Sequence, residues 1–166
     1  MKFRDRLLLG GREVVLLDRL IRGLMAGIAG GIVMNVLDFA SYYIFQFSNL
    51  LLLDWASIVT YGHRPLNLTE YIFSLINQLG WAGFLGVIFA FVVPYRGSKY
   101  LLFKGAVYGF IACFFITAAP IFFQLPYLKE LSTNTAISHR ITSIIWGIVV
   151  AQTLYWLEGK RKEAAL

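Results

Sequence analysis

The feature that most constrains this chain is the apolar stretch from Arg22 to Phe47, in which glycine recurs at every fourth position. On a helix, Gly23, Gly27 and Gly31 lie along one stripe, and Asn35 continues it. Each interior glycine lowers the stability of a helix in water by about 1 kcal/mol relative to alanine. In a membrane, small residues let two helix backbones approach closely. The pattern therefore predicts a transmembrane helix that packs through its glycine stripe.

The composition of the whole chain indicates a membrane protein. Hydrophobic residues make up 58% of the 166 residues and charged residues only 14%. The mean hydropathy is +0.68. A soluble domain carries roughly a quarter charged residues, so this chain has too few charges to cover a water-exposed surface. We expect the lipid bilayer to be its main surrounding.

Four segments are long and apolar enough to cross a membrane, at residues 20–46, 70–93, 102–123 and 136–157. The loop after the first segment contains apolar residues at helical spacing, which predict a short interfacial helix: Leu52, Trp55, Ala56 and Val59. Asn67 and Glu70 have the spacing of a capping box at the start of the second segment. The predicted fold class is an all-α, polytopic membrane protein with four transmembrane helices.

The distribution of positive charge predicts the orientation. Residues 1–19 form a basic amphipathic arm, residues 20–158 the transmembrane domain and residues 159–166 a basic tail. Of the 15 Lys and Arg, 12 lie in residues 1–22, in the turn at 95–104 or in the tail. The other three, Arg64, Lys129 and Arg140, lie in or next to the two remaining loops. Because positive charge is retained in the cytoplasm, we expect both termini to be cytoplasmic.

A weak internal repeat is visible between the two halves. The segment Arg22–Gly27 resembles Lys104–Gly109, and each half later contains a His-Arg pair, at His63-Arg64 and His139-Arg140. Two helical hairpins in parallel repeat would give this pattern. Chance similarity between glycine-rich membrane segments is the alternative.

Small residues at four-residue spacing occur in three of the predicted spans. We predict that they form the helix-packing positions: Gly23, Gly27, Gly31, Ala82, Gly86, Gly105 and Gly109.

Polar residues from all four spans fall at a similar depth, near the outer end of the bundle. At 1.5 Å per residue, Asp38 lies about 24 Å from Arg22 along the first helix. The residues at this level are Asn35, Asp38, Asn77, Gln78, Thr117, His139 and Arg140. They predict either an outward-facing polar pocket, with Asp38 as its acid and Arg140 or His139 as the counter-charge, or a set of structural hydrogen bonds between helices.

Other kinds of site find little support in the sequence. The chain has no phosphate-binding glycine loop, no H-E-x-x-H, no C-x-x-C and no G-x-S-x-G motif. His63 and His139 with Asp54 or Glu70 are a weak candidate set for a metal, so we expect no metal site, no cofactor and no catalytic residue. The basic residues flank the spans, which is typical of contact with lipid head groups rather than with nucleic acid.

Three stretches resemble one family. They are the basic-then-glycine entry at Arg22-Gly23, the pattern F-x-F-x-x-L-L-L-L-x-W from Phe45 to Trp55, and P-I-F-F-Q-L-P-Y-L from Pro120 to Leu128, which is followed by L-S-T-N-T at Leu131 to Thr135. In these stretches the chain resembles the YqhR-type small membrane proteins of Gram-positive bacteria. The resemblance implies a four-helix protein of the bacterial cytoplasmic membrane, and it assigns no catalytic residue.

Two functional hypotheses follow from the sequence. The first is a non-catalytic membrane component that packs with itself or with another membrane protein through its glycine stripes. The second is an oligomeric cation- or proton-linked carrier or channel with a polar pocket around Asp38.

The orientation can be tested by thiol labelling. We predict that a cysteine at Ser132 reacts with an impermeant thiol reagent in intact cells, and that a cysteine at Ser98 does not, because Ser98 lies in the basic turn. The reverse labelling pattern would overturn the orientation.

Overall fold

The computed structural model describes residues 3–93, 98–123, 128 and 131–164, with the side chains of residues 16–93, 98–120, 122, 123, 128 and 131–158. The described part of the chain is helical, with no strand. Its helices are α1 (Phe3–Phe39), α2 (Leu52–Tyr61), α3 (Leu68–Val92), α4 (Leu101–Phe122) and α5 (Thr133–Ala164), and α1 continues into a π-helical turn at Ala40–Ile44.

Four of these helical segments are long and apolar enough to cross a membrane: Leu16–Ile44, Leu68–Val92, Leu101–Pro120 and Thr133–Glu158. The predicted all-α, four-span fold class is therefore confirmed. The backbone of the predicted arm belongs to α1 from Phe3 onward. The predicted amphipathic face of the arm at residues 3–15, residues 95–97 of the predicted basic turn at 95–104, and the side chains of the tail lie outside the described residues. The rest of that turn leads into α4, which begins at Leu101.

The glycine stripe of α1 lies against α3. A Cβ atom at Gly27 would lie 2.7 Å from the Cα of Gly83 and still closer to the carbonyl oxygen of Ala82. A Cβ at Gly86 would lie 2.6 Å from the Cα of Gly27. Gly31 meets the methyl group of Ala82. The backbones of α1 and α3 therefore touch directly, which only glycine permits at these positions.

A second glycine contact joins α4 to α5. Gly105 and Gly109 of α4 lie against the backbone of α5 at Gly147 and Ser143, where an added Cβ would overlap carbonyl oxygens. Gly147 was not among the predicted packing positions. The two close pairs, α1 with α3 and α4 with α5, each consist of two consecutive spans.

The two pairs meet through aromatic side chains of the core. The indole Nε1 of Trp146 on α5 donates to the carbonyl of Gly27 at 3.1 Å. The hydroxyl of Tyr108 on α4 donates to the carbonyl of Leu85 at 2.8 Å. The ring of Tyr108 contacts the fully buried Phe89. Each polar ring group thus satisfies a backbone carbonyl of the opposite pair while its apolar body fills the core.

Arg22 closes the end of the bundle opposite α2, which we call the Arg22 end. Its guanidinium is buried and lies 2.8 Å from the Asp18 carboxylate and 2.9 Å from that of Glu158 on α5. The positive charge of Arg22 is therefore compensated by two carboxylates.

α2 covers the other end of the bundle, which we call the α2 end. The N-terminal half of α2 is buried, and Trp55 and Ile58 pack with Leu50 and Leu128. The predicted helix exists, but Val59, which was expected on its apolar face, is exposed. α2 ends at Gly62, whose φ of 80° is left-handed. Asn67 then caps α3 by accepting the N–H of Glu70, as predicted.

The glycine contact can be tested with one substitution at two positions. We predict that Gly27→Leu lowers the free energy of unfolding by about 1–3 kcal/mol, because the side chain would force α1 and α3 apart. Gly80→Leu is the matched control, since Gly80 is on α3 with no atom within 4 Å of an added Cβ. The measurement is thermal unfolding in detergent. Equal destabilisation by the two variants would show that the stripe is not the packing face.

Candidate functional site

Asp38 is fully buried near the end of the first span, where it binds the start of α2. Its Oδ2 accepts the backbone N–H of Leu52 at 2.7 Å. The first N–H groups of a helix have no partner within the helix, and a carboxylate is favourable at this positively polarised end. Asp54 of α2 supplies a second carboxylate, which accepts the N–H of Leu51 at 3.0 Å. Two carboxylates therefore satisfy the buried N-terminus of α2.

Burial raises the pKa of the Asp54 carboxyl above its ordinary value, and the N–H of Leu51 and the charge of Arg64 oppose this shift. Burial thus disfavours the ionised form of Asp54, whereas the Leu51 N–H and the charge of Arg64 favour it.

His139 of α5 binds Leu50, which lies two positions before α2 begins. Its imidazole is fully buried, and Nε2 lies 3.0 Å from the carbonyl oxygen of Leu50. Because a carbonyl only accepts, Nε2 carries the hydrogen in this contact. The same nitrogen lies 3.6 Å from Oδ1 of Asp38, and the ring meets Trp55 edge to face. His139, rather than Arg140, is therefore the ionisable neighbour of Asp38.

Hydroxyl and amide groups hold the loop before α2 to the start of α5. Oγ1 of Thr135 accepts the N–H of Asn49 at 3.0 Å and donates to the side-chain oxygen of Asn49 at 2.5 Å. The hydroxyl of Ser132 contacts both side chains. The hydroxyl of Ser48 donates to the carbonyl of Leu50 at 2.7 Å. The loop is thus tied to α1 through Asp38 and to α5 through His139 and Thr135.

Asn35 and Gln78 form a second polar contact, one helical turn deeper in the bundle. Nδ2 of Asn35 donates to Oε1 of Gln78 at 2.6 Å and to the carbonyl of Gly31 at 2.9 Å. Both side chains are buried. This contact joins α1 to α3 directly beyond their glycine stripe.

Several buried polar atoms in this region have no hydrogen-bond partner among the described residues. The acceptors are Oδ1 of Asn35, Oδ1 of Asp38 and Nδ1 of His139, and the donors are Nε1 of Trp55, Oγ of Ser74 and Nε2 of Gln78. An unsatisfied buried polar group costs about 1–3 kcal/mol. The α2 end therefore combines a tightly held loop with unused hydrogen-bonding capacity.

The other predicted pocket residues lie away from Asp38. Arg140 is directed toward α4, where its Nη2 lies 3.4 Å from Oγ1 of Thr117. Asn77 makes only a 3.4 Å contact with Thr60 in an exposed position. Four of the seven predicted residues therefore form the two buried contacts, at Asn35–Gln78 and Asp38–His139. Arg140 and Thr117 form a third, separate contact.

Ser48, Asn49, Ser132 and Thr135 were missed as site residues by the sequence analysis. Asp54 could have been found there as a helix cap, because it stands three residues after Leu51 at the start of an apolar helix. The partners of Asn49 and Leu50 lie more than 80 residues away, and no local pattern identifies them. The described residues contain no group of three or more His, Cys, Asp and Glu that could hold a metal ion.

Comparisons of this chain with protein-family models, with curated proteins and with solved structures find no match.

The role of Asp38 as a cap can be tested by two substitutions. An asparagine side chain would keep an acceptor oxygen for the Leu52 N–H, and Asn caps helices about as well as Asp. We therefore predict that Asp38→Asn is nearly neutral, whereas Asp38→Leu leaves the N–H unsatisfied and lowers the free energy of unfolding by about 1–3 kcal/mol. Asn77→Leu is the control, because Asn77 makes only an exposed, long contact. Thermal unfolding in detergent measures all three, and an Asp38→Leu variant as stable as Asn77→Leu would contradict the capping role.

Proposed function

We propose that this protein is a non-catalytic component of the bacterial cytoplasmic membrane, of the YqhR type, which associates with a second copy or with another membrane protein. The observation that carries this proposal is the way in which the buried polar side chains are used. Asp38 and His139 bind backbone atoms at Leu52 and Leu50, and Asn35 binds Gln78 and a backbone carbonyl. The residues most suited to chemistry thus serve to hold the loop and the helices in place.

The surface of the four spans supports a location in lipid. Large apolar side chains are exposed along all four spans, among them Val36, Phe84, Phe115 and Tyr155. The distribution of Lys and Arg supports an orientation with both termini in the cytoplasm.

The position of the glycines bears on how a partner would be recognised. The stripes at Gly23, Gly27 and Gly31 and at Gly105 and Gly109 are covered by α3 and α5 of the same chain. These glycines therefore pack helices within one chain and are not free to contact a partner. Association with a partner would use the lipid-facing surface, where Gly80 of α3 has open space around it.

A cation- or proton-linked carrier or channel is the second candidate, and one observation favours it. Asp38 and His139 are fully buried in two different spans, 3.6 Å apart, and each keeps one side-chain atom without a hydrogen-bond partner among the described residues. Ionisable residues inside a membrane mark ion or proton pathways in many transporters. The unpartnered Oδ1 of Asp38 and Nδ1 of His139 would be the atoms that take up a proton or a cation.

Asp38→Asn distinguishes the two candidates, because the variant keeps the acceptor for Leu52 and should fold in either case. The assay uses liposomes that contain a pH-sensitive or a sodium-sensitive dye, under an imposed membrane potential. For a non-catalytic component we expect wild type and Asp38→Asn to give the same rate as protein-free liposomes. We also expect cross-linking in native membranes to give a discrete homo-oligomer or one stoichiometric complex.

A proton or sodium flux that the wild type supports and the folded Asp38→Asn variant lacks would establish the carrier instead. A protein that stays monomeric and unassociated in native membranes would remove the association proposal.

A further inference from the structure

Arg22 and Arg140 both lie within membrane spans, but they differ in whether a carboxylate compensates their charge. Arg22 is buried between the carboxylates of Asp18 and Glu158, at 2.8 and 2.9 Å. Arg140 forms no ion pair with a carboxylate in the part of the chain that the structure describes. An uncompensated charge within a membrane span is costly, and such residues normally pair with an opposite charge or reach water.

The surroundings of Arg140 hold its guanidinium in place without neutralising it. The guanidinium carbon lies 5.1 Å from the ring centre of Phe110 and 5.6 Å from that of Phe114. Nη2 lies 3.4 Å from Oγ1 of Thr117, whereas Nη1 is buried without a hydrogen-bond partner among the described residues. Ring faces attract a cation, but they carry no net negative charge. The group therefore remains a fixed cation that no carboxylate of the described residues neutralises.

Exposed apolar side chains flank this cation near the α2 end of the bundle. Phe110 and Phe114 on α4 are 49% and 54% exposed, and Ile137 and Ile141 on either side of Arg140 on α5 are 44% and 52% exposed. Arg140 follows the first residue of α5 by seven positions, which corresponds to about 10 Å along the helix. Thr117 lies three residues before the end of its span at Pro120. A charge at this depth is reached by lipid head groups through local thinning of the bilayer.

From this arrangement we propose that Arg140 and Thr117 form a binding site for the phosphate of an anionic phospholipid, whose acyl chains lie along Phe110, Phe114, Ile137 and Ile141. The guanidinium supplies donors in the planar geometry that suits phosphate oxygens. The phosphate supplies the negative charge that the described protein residues do not. This inference requires only that the four spans lie in a bilayer, so it is independent of the function proposed above.

The test measures lipid selectivity by native mass spectrometry of the protein released from nanodiscs with equal amounts of phosphatidylglycerol and phosphatidylcholine. We expect the wild type to retain phosphatidylglycerol about fivefold more than phosphatidylcholine, since a basic residue near anionic lipid contributes about 1 kcal/mol. Arg140→Gln should lose this preference. Arg64→Gln is the control, because it removes the same charge from an exposed loop outside the spans, and it should keep the preference.

A second pair of variants leaves Arg140 in place. Ile137→Glu puts a carboxylate three residues before Arg140 on the exposed side of α5, where it can pair with the guanidinium. We expect it to remove the preference for phosphatidylglycerol, whereas Ile137→Gln should keep it. This pair gives an answer even where Arg140→Gln does not fold.

Three results would overturn the proposal. They are a wild type without a preference for phosphatidylglycerol, an unchanged preference in Arg140→Gln or in Ile137→Glu, and displacement of the lipid by soluble glycerol phosphate. The last result would assign the site to a water-soluble phosphate instead.

Discussion

The structure of the α2 end depends on one constraint, the need to satisfy the backbone N–H groups of a helix that begins inside the protein. Leu50, Leu51 and Leu52 are all buried, so water does not reach the start of α2. Asp38 and Asp54 accept two of the N–H groups, and His139 donates to the carbonyl of Leu50. Because Asp38 and His139 belong to different spans, satisfying this helix end also fixes α1 and α5 relative to each other. Asp38 and His139 have the side chains of catalytic residues, but in this structure both bind backbone atoms at the start of α2.

The sequence was most informative where local rules apply. Hydropathy and length located four spans, and Asn67 with Glu70 identified the start of α3, since both depend on neighbouring residues alone. The spacing of Gly23, Gly27 and Gly31 showed that one face of α1 was small, and α3 covers that face in the structure. The sequence analysis missed the partner glycine on α5, although Ser143, Gly147 and Ala151 have the same four-residue spacing of small residues.

The candidate site was less predictable, because it depends on directions around a helix and on contacts between distant segments. His139 and Arg140 are neighbours in the chain, but successive residues on a helix are about 100° apart. His139 therefore reaches Asp38 and Leu50, while Arg140 reaches Thr117 and Phe110. Depth alone, which placed both residues at one level, could not separate these two environments. The ties between Asn49 and Thr135 join a loop to the start of another span, and they follow from the fold rather than from any motif.

The bundle is held together by direct backbone contacts at glycines and by hydrogen bonds at the α2 end. These two kinds of contact differ in how easily they allow movement. Where Gly27 meets Gly83 and Gly105 meets Gly147, backbone touches backbone, so a shift of one helix along the other would produce overlaps that side chains cannot relieve. At the α2 end, the contacts are hydrogen bonds between side chains and a loop, with additional polar atoms unpartnered among the described residues. Hydrogen bonds of this kind contribute about 1 kcal/mol each and can be exchanged for others. A change of state in this protein would therefore be confined to α2 and the loop before it, while the glycine-packed helices keep their positions.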